Sequence, residues 1–308
     1  MSRINFIGYF KKPFDFEYIT DKILVDSLNK YRNNKDEFIF SDWNNINFDL
    51  YYSGFSLKNN KIQEDNLSND DLAVILEIPT RTSTHTSIDR VYPILEQMVA
   101  NNIRSINSAE TFIEYKDKSY LLNYPNLPFP KTKLIDGSSN IEEYLSEFGN
   151  FVVLKPIDTD GGYGVVKLPN DSSLVDSYIK QNEKDSPFLL QEYLEEIVEG
   201  ERSLFFFNKE FKYAMLKKPK KGGFKSNEDC VEILERYSPS KSELKTAYRA
   251  IYTLNSPSLL ERVDMTNSGK IIEMTIDCPG LYLVEAGIEN EIGEWFSELI
   301  DFTLENKE

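Results

Sequence analysis

Apolar positions in the first third of the chain fall into short unbroken runs separated by stretches with helical spacing. INFIGYF (residues 4–10) and DLAVILEI (71–78) read as buried strands, and residues 21–31 and 89–99 space their apolar side chains as helices do. This alternation predicts an open α/β lobe. KNNKIQEDNLSNDD (58–71) has no apolar period and reads as an exposed loop, while YPNLPFPKT (124–132), with three prolines, reads as a linker. Farther on, Ser139 with Glu142 and Ser240 with Glu243 form S-x-x-E capping boxes, which predict helices over NIEEYLSEF and KSELKTAYRAIYTL. Two long strand pairs follow the pattern of hairpins, one turning about Asn208 and Lys209 and one about Ser268 and Gly269. The segment IENEIGEWFSELIDFTL has the spacing of a closing helix.

Composition narrows the chemistry. With 308 residues, 40% of them hydrophobic, the chain can bury a core spread over two or three lobes. The net charge of −16 argues against nucleic-acid partners or an anionic membrane surface, so an anionic ligand must be met by local cations. No apolar run has the length of a membrane span and the first residues lack a secretory apolar segment, which together predict a cytoplasmic protein. Cys230 and Cys278 form no close-spaced pair of the zinc-binding kind. A single histidine, His85, leaves no material for histidine triads, so the chemistry falls to carboxylates, lysines, backbone amides and a bound metal.

FVVLKPIDTDGGYGVVKLP (151–169) concentrates that chemistry: strand, Lys155, a loop with Gly161, Gly162 and Gly164, then strand. It matches neither G-x-x-x-x-G-K-[ST] nor G-x-G-x-x-G. A hairpin of this kind lets backbone amides approach a polyphosphate while Lys155 reaches the same charge. An ordinary glycine turn with a surface lysine fits the same residues. Five lysines also fall within nine residues, at 217, 218, 220, 221 and 225. Strand alternation points Lys217 and Lys218 to opposite faces, so one faces inward and needs an anion.

Taken in order, the glycine hairpin, FLLQEYL (188–194), EGERSL with its A-x-L-K-x-P partner strand, and the E-x-x-x-x-x-P ending from Glu273 to Pro279 resemble the ATP-grasp ligases. The resemblance runs from about Asn107 to Leu283. It is strongest to the glutathione-synthetase-like branch, with similarity also to ligases that close cycloserine-type rings. It implies an α/β (α+β) protein with the ATP-grasp fold: an N-terminal open α/β lobe over residues 1–109, a small lobe with a glycine flap over 110–187, and a catalytic lobe over 188–308, the last two being antiparallel-sheet lobes that clasp ATP.

Residue by residue, the resemblance implies that Lys118 and Lys155 contact phosphates, with Gly161 and Gly162 as the flap. Gln191, Glu192, Tyr193 and Leu194 border the adenine, and Glu199 or Glu201 holds the ribose. Arg202 lies near the transferred phosphate, and Lys217 stands where glutathione synthetases usually carry arginine. Gly222, Gly223, Lys225 and Asn227 are what remains of the family's glycine-rich loop in GGFKSNEDCVEIL. Asp264, Glu273 and Thr275 are the implied Mg2+ ligands. In the N-terminal lobe, Arg81 in EIPTRTSTHTSIDR is the expected clamp for a substrate carboxylate.

The hairpin supports the metal assignment independently. A two-residue turn at Ser268 and Gly269 sets Asp264 opposite Glu273 and residue 262 opposite 275. Two facing carboxylates need neutralising, either by a divalent cation or by Arg262 on the same face. The resemblance implies an ADP-forming ligase that joins a small-molecule or peptide carboxylate to a nucleophile through an acyl phosphate, with ATP and Mg2+ as cofactors and a homodimer as the common assembly. A peptide-modifying ligase, a small-molecule kinase and a non-catalytic nucleotide-binding subunit remain open from the residues alone.

Overall fold

The computed structural model describes residues 3–8, 19–32, 35–76, 78, 87–115, 117–135, 139–159, 161–182, 187–227, 230–254, 258–276 and 280–306. Its first sheet has the strand order β4-β3-β2-β1-β5-β6, built from β1 (Arg3–Gly8), β2 (Glu37–Asp42), β3 (Tyr51–Ser56), β4 (Lys61–Asn66), β5 (Leu72–Ile75) and β6 (Arg104–Ile106). β1 runs parallel to β2 and β5, and β5 runs parallel to β6, whereas β3 and β4 are antiparallel. Parallel strands need cover on both faces. Ile4 and Phe6 pack towards α1 (Ile19–Arg32), while Ile7 packs with Val91, Ile94 and Leu95 of α2 (Ile88–Ala100) and with α3 (Ala109–Glu114).

The segment expected to be an exposed loop contains β4 instead. Its residues pair one for one with β3, from Tyr51 opposite Asn66 to Ser56 opposite Lys61. The strand is an exposed edge with Ile62 58% accessible, so neither face carries the apolar alternation by which strands are recognised.

The second sheet is wholly antiparallel, in the order β7-β10-β8-β9, from β7 (Thr132–Ile135), β8 (Phe151–Pro156), β9 (Val166–Pro169) and β10 (Phe188–Glu192). One face packs on α4 (Ile141–Leu145) and α5 (Ser172–Asn182) through Val152, Leu154, Leu190, Leu145, Val175 and Ile179. α4 is capped one residue later than its S-x-x-E pattern predicts: the Asn140 side chain accepts from the Glu143 amide.

The third sheet, also antiparallel, has the order β13-β12-β11-β14-β15, from β11 (Glu201–Phe207), β12 (Glu210–Pro219), β13 (Val231–Tyr237), β14 (Leu260–Met265) and β15 (Ile271–Thr275). Leu204, Phe206, Val263 and Met265 face α6 (Lys241–Leu254). The predicted capping box opens that helix: the Ser240 amide donates to Glu243 at 2.7 Å and the Glu243 amide to Ser240 Oγ at 3.2 Å. On the opposite face, Phe205, Phe207, Tyr213 and Met215 pack with α7 (Leu283–Ala286) and α8 (Ile292–Glu305).

Among the described residues, two of the ties between the first lobe and the rest of the chain are these. α8 returns to lie on α1, where Arg32 donates to Ser297 Oγ at 2.7 Å and pairs with Asp301 at 2.9 Å. Gly293 permits that approach, because a Cβ there would meet the Ser27 carbonyl oxygen at 2.5 Å. The second tie is Asn107, a buried residue just past β6. Its amide donates to the Leu260 and Ile276 carbonyls at 2.7 and 3.0 Å and accepts from the amides of Leu259 and Leu260. Among the described residues, no helix is long and apolar enough to cross a membrane.

Candidate active site

A cavity of ≈ 730 Å³ lies where the three sheets meet. The four-stranded sheet contributes Val153, Lys155 and the segment Gln191 to Leu194, and the five-stranded sheet contributes Glu201, Lys217, Arg262, Asp264, Glu273 and Thr275. Gly161, Gly162, Lys225 and Asn227 border it from two loops, and Lys118 from a short helical turn.

Lys155 stands on β8 between residues of opposite orientation: Leu154 faces the helices, so Lys155 faces the cavity. Burial holds its ammonium below the usual lysine range, and the neighbouring Lys118 pushes in the same direction against Glu273, Glu201 and Asp264. The described residues give it no hydrogen bond and no ion pair within 4.0 Å. Lys118 is placed more firmly. Asp117 caps its turn by accepting from the Ser119 amide at 2.8 Å, the Lys118 amide donates to Ile157 O at 2.8 Å, and Nζ contacts both Thr159 O and, at 3.5 Å, Glu273. β15 is held against the same turn by Tyr120, whose hydroxyl donates to Met274 O and accepts from its amide.

The glycine loop is latched from the other side. Lys225 donates to Gly162 O at 3.0 Å, and the Asn227 side chain occupies the space a Cβ at Gly162 would need. Gly161, Gly162 and Gly164 all have positive φ, at 54, 70 and 67°. Beside it, the Tyr193 ring sits between Phe151 and Phe224, with Lys167 Nζ 3.6 Å above its centroid.

The floor is a buried charge network. Lys217 is 4% exposed, as alternation requires of one lysine in its pair, and its anions are Glu201, directly across β11, and Asp264 at 3.5 Å. Asp264, 1% exposed, accepts from Arg262 Nε at 3.1 and 3.0 Å, from Arg262 Nη2 at 2.9 Å and from Ser203 Oγ. Burial opposes ionisation of Asp264, but Arg262 and Lys217 prevail and hold its carboxyl below the usual range. Burial likewise works against the Lys217 charge, and Asp264 with Glu201 reverses the sign and raises its pKa. Glu201 goes the other way, pushed up by burial despite Lys217.

The expected cross-strand geometry of the metal pair is present. Asp264 lies opposite Glu273 and Arg262 opposite Thr275. The turn differs from the expected one: Thr266 N donates to Lys270 O across a loop of Asn267, Ser268 and Gly269, and a register shift between Asp264 and Met265 restores the pairing. Glu273 and Thr275 offer oxygen donors of the kind Mg2+ takes, on one face of the hairpin. Asp264 belongs to the same donor set but is already saturated by Arg262, Lys217 and Ser203, so it reaches an ion only by exchanging partners. Among the described residues, no three acidic, cysteine or histidine side chains cluster as a metal site.

Two expected residues fall outside the cavity. Arg202 follows Glu201 on β11 and therefore points to the other face, where it lies 3.8 Å from Glu243 and over the Tyr237 ring. The position that faces the charge network is Ser203, opposite Asp264. Glu199 is an exposed residue of the turn Glu195–Glu199, so that of the two expected ribose acids Glu201 is the one that lines the cavity. Arg81 and His85 lie outside the described residues. Tyr282, which no sequence motif marks, also lines the cavity beside Lys217 with its backbone at φ 48°.

The chain is similar to known proteins in sequence and in fold. A glutathione synthetase from Bradyrhizobium diazoefficiens is 26% identical over 208 residues, 64% of this chain and 60% of that protein. The chain thus matches less than two thirds of the length of this curated relative. Among solved structures, a D-cycloserine synthetase superposes with a TM-score of 0.70 at 14% identity, covering 97% of this chain and 100% of the other. A D-alanine–D-alanine ligase from Bacillus anthracis, solved with ATP, gives 0.67 at 17% identity over 99% and 98%. These establish the ATP-grasp fold. The family described as prokaryotic glutathione synthetase, ATP-grasp domain, matches residues 117–281, more than half of the sequence, and the chain belongs to that family.

Proposed function

We propose that this chain is an ADP-forming ligase. A substrate carboxylate attacks the γ-phosphorus of ATP, ADP leaves, and a nucleophile then displaces phosphate from the acyl phosphate. The observation that carries the reading is Lys155, a cation that faces the cavity between the two antiparallel sheets and makes no ion pair within 4.0 Å among the described residues. A triphosphate supplies an anion for it, with the amides of the flap and Lys118 beside it. The carboxylate needs no base, being ionised at neutral pH. Mg2+ at Glu273 and Thr275, joined by Asp264 after exchange, would neutralise charge on the transferring phosphoryl group. For the first step the protein need provide only positioning and charge neutralisation; in the second, the incoming nucleophile gives up a proton to a base that the reading does not assign.

The test is ADP release that depends on an added acid, with hydroxylamine as trap. Hydroxamate formation marks the acyl phosphate. A phosphorylated product stable to hydroxylamine would make the protein a kinase, and ATP binding without ADP release would make it a nucleotide-binding subunit.

Lys155→Ala is expected to weaken ATP binding about 10- to 150-fold, the worth of a charged hydrogen bond of about 1.5–3 kcal/mol, as read by calorimetric titration. The free protein should lose little stability, since among the described residues the ammonium makes no hydrogen bond and no ion pair within 4.0 Å. The pH dependence has a definite sign. With its pKa held low, Lys155 loses its proton earlier than an ordinary lysine, so ATP affinity of the wild type falls as pH rises through that lowered value. In Gly162→Val, the side chain meets Asn227 at a φ that β-branched residues avoid. Turnover should drop about 10- to 100-fold with little change in melting temperature, because the flap lies outside the cores.

A further inference from the structure

Three consecutive backbone carbonyls of the glycine flap each accept a hydrogen bond from a side chain. Lys225 Nζ donates to Gly162 O at 3.0 Å, Thr159 Oγ1 to Tyr163 O at 3.0 Å, and the Tyr178 hydroxyl to Gly164 O at 2.9 Å. The donors come from separate places: the loop after β12, the junction between β8 and the flap, and α5. Two of them are anchored apart from the flap. Tyr178 packs edge-on against Phe188, with ring centroids 6.1 Å apart, among the residues that join α5 to its sheet. Burial and the neighbouring Tyr163 raise its pKa, so the phenol keeps the proton it donates. Thr159 is 3% exposed, and its own carbonyl accepts from Lys118 Nζ, which also lies 3.5 Å from Glu273 of β15.

A trans peptide is planar, with its N–H and C=O on opposite edges. Holding the Gly162 and Tyr163 carbonyls therefore aims the amide hydrogens of Tyr163 and Gly164 the other way. Gly162 and Gly164, at φ 70 and 67°, flank Tyr163, and successive amides in turns of this kind converge on an anion. The grip on Gly164 O likewise aims the Val165 amide, which closes the turn by donating to Gly162 O at 3.2 Å. A glycine-rich loop released from these grips has many backbone states, and ordering it on binding weakens the complex.

We propose that Thr159 and Tyr178 are positioning residues for ATP, acting through the flap backbone. This deepens the ligase reading and rests on its ATP site, but on nothing about the acid or the nucleophile. In the test, wild type, Tyr178→Phe, Thr159→Val and Thr159→Ser are titrated calorimetrically with ATP in the presence of Mg2+ and with adenosine, which carries no phosphate. Melting temperature is the check on folding. Tyr178→Phe keeps the ring and removes only the hydroxyl. It and Thr159→Val are each expected to weaken ATP binding about three- to tenfold, the worth of one neutral hydrogen bond, and to leave adenosine binding within about twofold. Thr159→Ser restores the donor and should bind ATP as wild type does. A merely structural role would move both ligands together. ATP affinity unchanged in Tyr178→Phe, an equal loss for adenosine, or no rescue by Thr159→Ser overturns the proposal. If Thr159→Val fails to fold, Tyr178→Phe decides by itself. ATP bound by the wild type without acid-dependent ADP release leaves the proposal standing and overturns the ligase reading instead, whereas a wild type that binds no ATP overturns both.

Discussion

Glu273→Gln is expected to lower turnover by about two to three orders of magnitude, or roughly 3–4 kcal/mol of barrier, in a protein that remains folded. Glu273 is 34% exposed at its side chain and touches Lys118 at 3.5 Å, so its replacement disturbs no core. A carboxylate facing a triphosphate repels it unless a divalent cation lies between them. The sign of the change in ATP affinity therefore separates two roles. If Glu273 holds Mg2+, the Gln variant binds ATP more weakly than wild type when Mg2+ is present, and as well or better when a chelator is present. If Glu273 serves only to pair with Lys118, the variant binds more tightly under both conditions and keeps most of its turnover. Titrations with and without Mg2+, alongside steady-state rates, decide it.

Asp264→Ala is expected to cost about 3–5 kcal/mol of stability, measured by denaturant unfolding, because it strands the Arg262 guanidinium and leaves Lys217 with Glu201 alone. Glu201→Gln should cost much less. Burial already pushes the Glu201 carboxyl towards its neutral form, and Asp264 remains to hold Lys217. The acid limb of the stability profile follows from the same groups. Asp264 has a lowered pKa in the folded protein, so its contribution is present above the ordinary value of 3.8 and is lost as pH falls below 3.8 through the lowered one. The variant should therefore show a flatter stability curve than wild type in that acid range. An Asp264→Ala protein as stable as wild type would remove the network from the structural account.

The parts of this site that could be read from the sequence are those where one local rule acts alone. Asn208 and Lys209 both take positive φ, 48 and 63°, as a two-residue hairpin demands, and Ser240 with Glu243 caps α6 as its spacing predicts. Parity requires one of Lys217 and Lys218 to face inward, and the structure shows that it is Lys217. The same parity, counted one step along β11, turns Arg202 away from the cavity once Glu201 faces it, and likeness to a family motif places a residue less finely than one position. Asp264 and Glu273 face each other as predicted, but through two departures that cancel: a longer turn and a compensating bulge. Neither has a sequence signature as strong as the glycine itself. Arg262 was recognised as an alternative to the metal, and its bidentate grip on Asp264 follows from the i, i+2 spacing on one strand face. β4 was illegible because its stability comes from pairing to β3 and from no buried face at all.

The return of α8 to α1 has a consequence for how the chain is made. Ile292, Phe296, Leu299 and Ile300 belong to the same apolar cluster as Ile4, Phe6, Leu24 and Leu28. Arg32 finds its partner Ser297 at a separation of 265 residues. During synthesis the first lobe therefore emerges from the ribosome with one face of its sheet uncovered, and that face waits until nearly the whole of the described chain has followed. The lobe that begins the chain is among the last to be finished, and a nascent chain stalled before α8 carries a sticky surface that chaperones would have to shield.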